Sequence, residues 1–247
     1  ASLAPGQINR GRKRLQLDVD TAYREWRLRA SYMRLDDREN PFGTAQALDP
    51  SNRFDVDEFW ADLGYYNDTL IDQVSISVRF HYFDYSEKVQ DNLTLFPPGT
   101  QLGLGIGPYP EGVIGNPEHD ERHLGSEWKA NYTGLASHSL LAGAGYTYME
   151  IDNVREEKNF GIDPATGLPI PPGSPLVDVT GTDQVFLPEK GRNNYYLFLQ
   201  DQWSITPDWQ LTAGLRYDYY DDFGGTLNPR AALVWNPPGR HTLKLLY

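Results

Sequence analysis

The stretch Leu211-Thr-Ala-Gly-Leu-Arg-Tyr-Asp-Tyr-Tyr220 alternates apolar and polar residues with a period of two. Leu211, Ala213, Leu215, Tyr217 and Tyr219 fall on one face of an extended chain. Thr212, Gly214, Arg216, Asp218 and Tyr220 fall on the other. Such alternation marks a strand with two different environments, because successive side chains of a strand point to opposite sides. The pattern recurs in Val74, Ile76, Val78, Phe80 and Tyr82 opposite Ser75, Ser77, Arg79, His81 and Phe83. It recurs again in Leu140, Ala142, Ala144, Tyr146 and Tyr148 opposite Leu141, Gly143, Gly145 and Thr147.

Extending this template along the chain predicts about ten strands, near 12–23, 25–37, 53–66, 72–88, 121–133, 137–153, 190–206, 209–222, 227–236 and 240–247. Several would run to roughly 14–18 residues, well past the about 5–6 usual in soluble sheets. At about 3.3 Å per residue they would reach roughly 50 Å, more than the about 9–11 residues that a tilted strand needs to cross a bilayer. The connections alternate in length. Arg24-Glu25, Asn67–Ile71, Gly134–Ala136, Pro207-Asp208 and Pro237-Pro238-Gly239 are tight, whereas 38–52, 89–120 and 154–189 are long and rich in Gly, Pro, Asp and Asn, and Phe223–Thr226 is shorter. Long connections on every second turn emerge at one end of an up-and-down sheet. That is the layout of a bacterial transmembrane barrel.

Composition alone gives a different first impression. A chain of 247 residues with 39% hydrophobic and 23% charged residues and no cysteine reads as a soluble all-β domain, as does its mean hydropathy of −0.57. The surplus of aromatics, 16 Tyr, 10 Phe and 6 Trp against 2 Met, fits that reading poorly. A barrel resolves the conflict, because it confines its apolar residues to every second position and leaves a polar lumen and polar loops. Tyr65, Tyr82, Tyr146, Tyr148, Trp203, Trp209, Tyr217 and Tyr219 are expected as membrane girdles, since amphipathic rings favour the headgroup level. Trp203 and Trp209 flank the Pro207-Asp208 turn and would sit at the periplasmic girdle.

Other classes are excluded or find no support. A net charge of −12, from 22 basic and 34 acidic residues, argues against a nucleic-acid partner. Absence of cysteine removes disulfides and thiolate chemistry. No apolar run of about 18 residues can form a transmembrane helix. Residues 1–6 carry no secretory signal, so the chain is expected to be mature or a piece of a longer one. G-x-S-x-G, H-E-x-x-H and phosphate-loop motifs are missing, and Gly103-Leu-Gly-Ile-Gly107 leads into Pro108 rather than a helix.

The stretch Asn194-Tyr-Tyr-Leu-Phe-Leu-Gln-Asp-Gln-Trp203, the turn Ile205-Thr-Pro-Asp-Trp209 and Leu211–Asp218 resemble the barrel of TonB-dependent outer-membrane receptors. Leu227-Asn-Pro-Arg230 and the hairpin from Pro237 to Tyr247 continue the likeness, while residues 1–190 match only in architecture. The resemblance implies an all-β, antiparallel up-and-down transmembrane β-barrel, with about ten strands visible of roughly 22. Residues 1–247 would be a partial barrel domain, and the plug that fills such barrels is not visible in them. A closed barrel of ten strands is the alternative, with Tyr247 as an aromatic last residue; an open edge in hydrocarbon weighs against it.

The function implied is energy-coupled uptake of a scarce ligand, an iron-siderophore chelate first, with cobalamin, haem or a glycan as other cargoes. The location would be the outer membrane of a Gram-negative bacterium. Lipid, the small-molecule chelate and the TonB energy-coupling complex acting through the plug would be partners. No enzymatic activity, metal site or cofactor is expected. A passive porin-like channel or adhesin barrel is the alternative, and a soluble carbohydrate-active β protein is a third reading.

Ligand-contacting residues are expected in the lumen, at Arg79, His81 and Arg216, with Asp218 beside them. They are also expected in the loops and at strand ends, at Phe96, Tyr109, Arg155, Lys158, Phe160, Lys190 and Arg192. His119 and His123 lie four residues apart in a strand, roughly 13 Å, too far for one ion. Asp36-Asp37 and Asp221-Asp222 read as solvated strand ends rather than cation bridges to lipopolysaccharide.

Overall fold

The structure is a computed structural model and describes residues 10–39, 49, 52–103, 106–239 and 241–247. Twelve strands occur among them: β1 (Lys13–Tyr23), β2 (Trp26–Glu39), β3 (Arg53–Ile71), β4 (Val74–Asp91), β5 (Thr94–Phe96), β6 (Val113–Tyr132), β7 (His138–Lys158), β8 (Val177–Asp178), β9 (Lys190–Thr206), β10 (Trp209–Tyr220), β11 (Gly224–Trp235) and β12 (Leu243–Leu246). Ten of them follow one another in a single open sheet, each antiparallel to the next, while β5 and β8 pair with the outer ends of β6 and β7. The described residues contain no helix. The sheet is therefore a segment of barrel wall.

Two parallel rows of paired residues show how the wall is sided. Trp26, Tyr65, Val78, Trp128, Ala144, Leu197, Tyr217 and Leu227 pair in turn across eight strands. One position along each strand, the row reads Arg27, Gly64, Arg79, Glu127, Gly145, Tyr196, Asp218 and Thr226. The first row is wholly apolar or aromatic; the second is polar, charged, glycine or tyrosine. Because the side-chain period is two, a slip of one residue anywhere would exchange the faces, so each pairing enforces the next. The apolar face has no second layer over it. Leu197 and Leu199 are each 59% exposed and Trp128 55%, which is the environment of a lipid-facing wall and not of a folded core.

Glycines on the polar face make room for large neighbours. A Cβ added to Gly145 would lie 2.3 Å from the Tyr196 ring, and one added to Gly143 would lie 2.4 Å from Phe198. The aromatic rings of β9 thus lie over a strip of bare backbone on β7. At the short turns, Arg24, Gln73 and Ser137 take positive φ of 54°, 61° and 64°, and these tight reversals fix the register of the strands they join.

Several strands outrun their expected ends. β6 begins at Val113 rather than near 121, β7 continues to Lys158, and β3 to Ile71. Strand β11 starts at Gly224, so the connection expected at 223–226 is the tight Asp221–Phe223 turn. Strand β12 is shorter than expected, and two short strands lie within segments read as loops. Alternation fails over Val113-Ile-Gly-Asn-Pro-Glu-His-Asp120 because no apolar solvent contrasts the two faces there. Beyond the bilayer a strand keeps its hydrogen bonds but loses the reason for its pattern.

The buried apolar side chains gather at this outer end. Leu35, Phe54, Val56, Tyr109, Val113, Ile114, Val154, Ile170 and Val179 are the buried hydrophobics among the described residues. A bulge helps to place them. Asp120 pairs with Asp152 but Glu118 pairs with Arg155, so β7 carries one extra residue, and Asn153 there has a φ of 52°. The insertion reverses parity: even-numbered residues of β7 that share the apolar face at Ala144 and Tyr146 turn to the polar side at Val154, Glu156 and Lys158. All three are buried beneath the long loops.

Gly145→Val would force the Tyr196 ring off its seat, an overpacking cost of about 1–3 kcal/mol. In the full-length protein refolded into detergent, urea titration followed by heat-modifiable gel mobility is expected to show a lower midpoint for this variant. An unchanged midpoint would contradict the assigned packing.

Candidate functional site

Three groups of side chains on the polar side of the wall hold concentrated charge. The first lies on β2, β3 and β4. Asp62 is buried and accepts hydrogen bonds from Arg29, at 3.0 Å, and from Arg79. Two guanidinium groups on one carboxylate leave a surplus positive charge on the inner face. Gly125 is the bare-backbone position beneath the His81 ring, 2.4 Å from where a Cβ would be.

The second group spans β6, β9 and β10. The Tyr196 hydroxyl donates to Glu127 at 3.0 Å, and Glu127 also pairs with Lys129 at 2.5 Å. The Arg216 guanidinium lies 3.8 Å from the centre of the Tyr196 ring and donates to both oxygens of Asp218. A planar cation stacked on one face and forked onto a carboxylate is fixed in orientation.

The third group lies where β9 meets the turn after β10. Lys190 Nζ sits 2.8 Å from Asp222 Oδ2, and Arg192 Nη2 sits 2.7 Å from the same oxygen. These donations, Lys190 first, hold the Asp222 carboxyl below the usual carboxylate range. Arg192 also lies 5.4 Å from the centre of the Phe223 ring and 5.9 Å from that of Tyr220. Those two rings stack at 4.3 Å, and Phe223 is 58% exposed. Lys190 and Arg192 also line a cavity of about 280 Å³, together with Glu121, His123, Met149, Glu150 and Ile151.

The long loops form a tied layer. Asn159 accepts from Ile114 N at 2.8 Å and donates to Gly112 O at 2.9 Å. Asp49 accepts from Thr94 N at 2.8 Å, which joins the first long connection to the second. Lys158 lies 3.4 Å from Glu156, donates to the Gln184 carbonyl and sits 5.0 Å from the centre of the Phe160 ring. Glu156 in turn accepts from Phe186 N at 2.5 Å.

The structure therefore divides the residues singled out from the sequence. Arg79, His81 and Arg216 occupy the polar face, and Lys190 and Arg192 share one carboxylate at its outer rim. Tyr109 and Lys158 are buried within the loop layer, and burial pushes the Tyr109 phenol up. Phe96 ends β5, Phe160 lies under Lys158, and Arg155 is exposed opposite Glu118. Tyr65, Tyr82, Tyr146, Tyr148, Tyr217 and Tyr219 project from the apolar face, as do Trp203 and Trp209, whose neighbours His138 and Trp235 stack on them at 5.5 and 5.3 Å. His123 pairs with Glu121 at 2.7 Å and packs on Phe83, while His119 packs on Tyr85. The acidic pairs are engaged by the chain itself: Asp36 by Arg34, Asp37 by Lys13, Asp222 as above, and Asp221 by the backbone and side-chain amides of Asn193. Glu156, Asn159, Asp222 and Phe223 were not legible as site residues. Only the dipeptide Asp221-Asp222 beside an aromatic hinted at the rim.

Comparison with known proteins agrees with this architecture. The family described as TonB dependent receptor-like, beta-barrel matches residues 3–247, and the chain belongs to it. This is a family of outer-membrane receptors and transporters of Gram-negative bacteria. Among solved structures, the chain is similar to a mutant of the ferric enterobactin receptor PfeA of Pseudomonas aeruginosa, at TM-score 0.57 and 18% identity over 99% of this chain and 34% of that one. It is similar also to the ferric preacinetobactin receptor BauA of Acinetobacter baumannii, at TM-score 0.54 and 13% identity over 94% of this chain and 38% of that one. The ferric citrate transporter FecA gives TM-score 0.53 and 16% identity, over 94% and 34%. The chain thus spans about a third of the length of these structures. No curated protein sequence matches it.

Lys158→Met would leave Glu156 buried without its cation, a local cost of about 3–5 kcal/mol. In the folded full-length receptor, added protease is expected to cleave within 159–189 faster than in the parent, with the wall intact. Equal cleavage rates would show that the pair does not secure the loops.

Proposed function

We propose that this chain is the wall segment of an outer-membrane receptor that imports a scarce ligand, an iron chelate, by energy coupling. The observation that carries the reading is the inner polar row from Arg27 to Thr226 beneath an outer rim that carries Lys190 and Arg192. Such a wall offers fixed cations to an anionic chelate entering from outside and hydrogen-bonding groups to a protein plug within. The neighbours' ferric-chelate ligands support the same cargo class.

In this reading Arg79, His81 and Arg216 line the lumen and contact plug or ligand, and Lys190 and Arg192 receive the ligand first. Phe96, Arg155 and Phe160 belong to the outer approach, while Tyr109 and Lys158 act indirectly by holding the loops in place. Eight of the aromatic side chains on the apolar face, Tyr65, Tyr82, Tyr146, Tyr148, Trp203, Trp209, Tyr217 and Tyr219, mark the two lipid interfaces. The plug lies in sequence outside this chain and passes on the force of the TonB complex. The chain performs no covalent chemistry.

The test is uptake of radioactive iron chelates by cells expressing the full-length gene, in strains with and without TonB. Saturable accumulation that disappears without TonB is expected. Uptake that persists without TonB and rises linearly with concentration would instead identify a passive channel.

A further inference from the structure

The apolar face holds one pair of side chains that contact with lipid tails does not explain. From the row of Trp128 to Leu227 down to the short turns, the outward positions of β6, β7, β9, β10 and β11 carry one carboxylate, Asp201, and one imidazole, His138, with no ammonium or guanidinium group among the described residues. Asp201 pairs with Leu140 on one side and Ala213 on the other. It precedes the girdle residue Trp203 by one step on the same face. Ionisable groups at this depth are costly, and where they persist they mark a site.

The pair is held in a fixed arrangement. His138 Nδ1 lies 2.7 Å from Asp201 Oδ2, and the imidazole stacks on the Trp203 indole at 5.5 Å with 10° between the ring planes. Asp201 Oδ1 has no hydrogen-bond partner, although an ionised carboxylate has room for about four. Both side chains are about one third exposed. His138 also borders a cavity of about 510 Å³ at the turns, but its other polar lining residues, Gln73, Thr133, Ser137, Ser139, Gln202 and Ser204, are neutral. No further charge meets the pair.

We infer that His138 and Asp201 form a lipid-side site for one zwitterionic phospholipid headgroup, a phosphodiester joined through a two-carbon link to a primary ammonium. The inference rests on the lipid-facing assignment of this face and is independent of the cargo. With a proton on each ring nitrogen, His138 donates to Asp201 through Nδ1 and to the phosphate through Nε2, while the ammonium donates to the Asp201 carboxylate. The last bond of an aspartate side chain turns at little cost, and Ala213 is too small to cover the carboxylate from the β10 side. Opposite charges side by side match a zwitterion. An anionic headgroup has no donor for Asp201, and a quaternary ammonium has no N–H to give it.

The test is native mass spectrometry of the purified full-length receptor released from detergent, with lipids of identical acyl chains added: phosphatidylethanolamine, its N-methyl and N,N-dimethyl forms, phosphatidylcholine and phosphatidylglycerol. One phosphatidylethanolamine is expected to bind about tenfold more tightly than phosphatidylcholine, with affinity falling at each methylation. Asp201→Asn, which keeps the side chain's shape and removes its charge, is expected to abolish that preference, and His138→Gln to weaken the binding of both lipids. Heat-modifiable gel mobility checks that each variant is folded, and the methylation series needs the parent alone. Equal binding of phosphatidylethanolamine and phosphatidylcholine by the parent overturns the site, as does an undiminished preference in Asp201→Asn. Tightest binding of phosphatidylglycerol, or displacement of the lipid by excess inorganic phosphate, overturns the zwitterion in favour of a simple anion site. A receptor dimer that Asp201→Asn separates makes the pair a contact between copies and overturns lipid as its occupant. Absence of any lipid adduct overturns the lipid-facing assignment together with this inference; the other outcomes leave that assignment standing.

Discussion

The wall depends on one constraint: a backbone amide or carbonyl in hydrocarbon must find its partner within the protein, because no water is there to replace it. An antiparallel ladder meets that demand strand by strand, and it leaves side chains to answer to two solvents. The apolar row from Trp26 to Leu227 and the polar row from Arg27 to Thr226 are the result. Hydrophobic burial, which holds most soluble domains together, plays little part in this region. The wall is one layer thick, and its large apolar side chains, Leu197, Leu199 and Trp128 among them, are exposed on one face.

Where the strands leave that environment, conventional packing takes over. The buried apolar residues all lie near the long connections, with Val56, Phe54 and Leu35 on the inner side of β2 and β3 and Val113, Ile114, Val154 and Val179 around β6 and β7. The bulge at Asn153 makes this possible, since it turns Val154, Glu156 and Lys158 toward the loops instead of outward. A rigid ladder below and a packed loop layer above meet at the rim, where Lys190 and Arg192 share the Asp222 carboxylate. Function in this account belongs to the boundary between the two regimes.

The sequence carried the wall well and the outer layer poorly, for the same reason. In 211–220 each residue reports the solvent on its own side, so the strand and its facing can be read directly. Lys190–Thr206 matched its expected bounds because alternating exposed residues such as Tyr195, Leu197 and Leu199 bracket it. At Val113–Asp120 that contrast disappears, and a strand was read as loop. Site residues fared similarly. Lys190 and Arg192 stood out by type, but Asp222 and Phe223 acquire meaning only from the register that brings β9 beside the turn after β10. Tyr109 and Lys158 looked like exposed loop groups because nothing local announces that Asn159 and Glu156 draw the loops closed over them.

The central claim, that one face of this sheet meets lipid and the other does not, can be measured on strand β9. The chain contains no cysteine, so single substitutions from Tyr195→Cys to Gln200→Cys in the full-length receptor give unique sites for nitroxide labels. In lipid vesicles, the collision rate with dissolved oxygen is expected to be high at 195, 197 and 199 and low at 196, 198 and 200. A uniform rate along the strand, or the opposite alternation, would contradict the account.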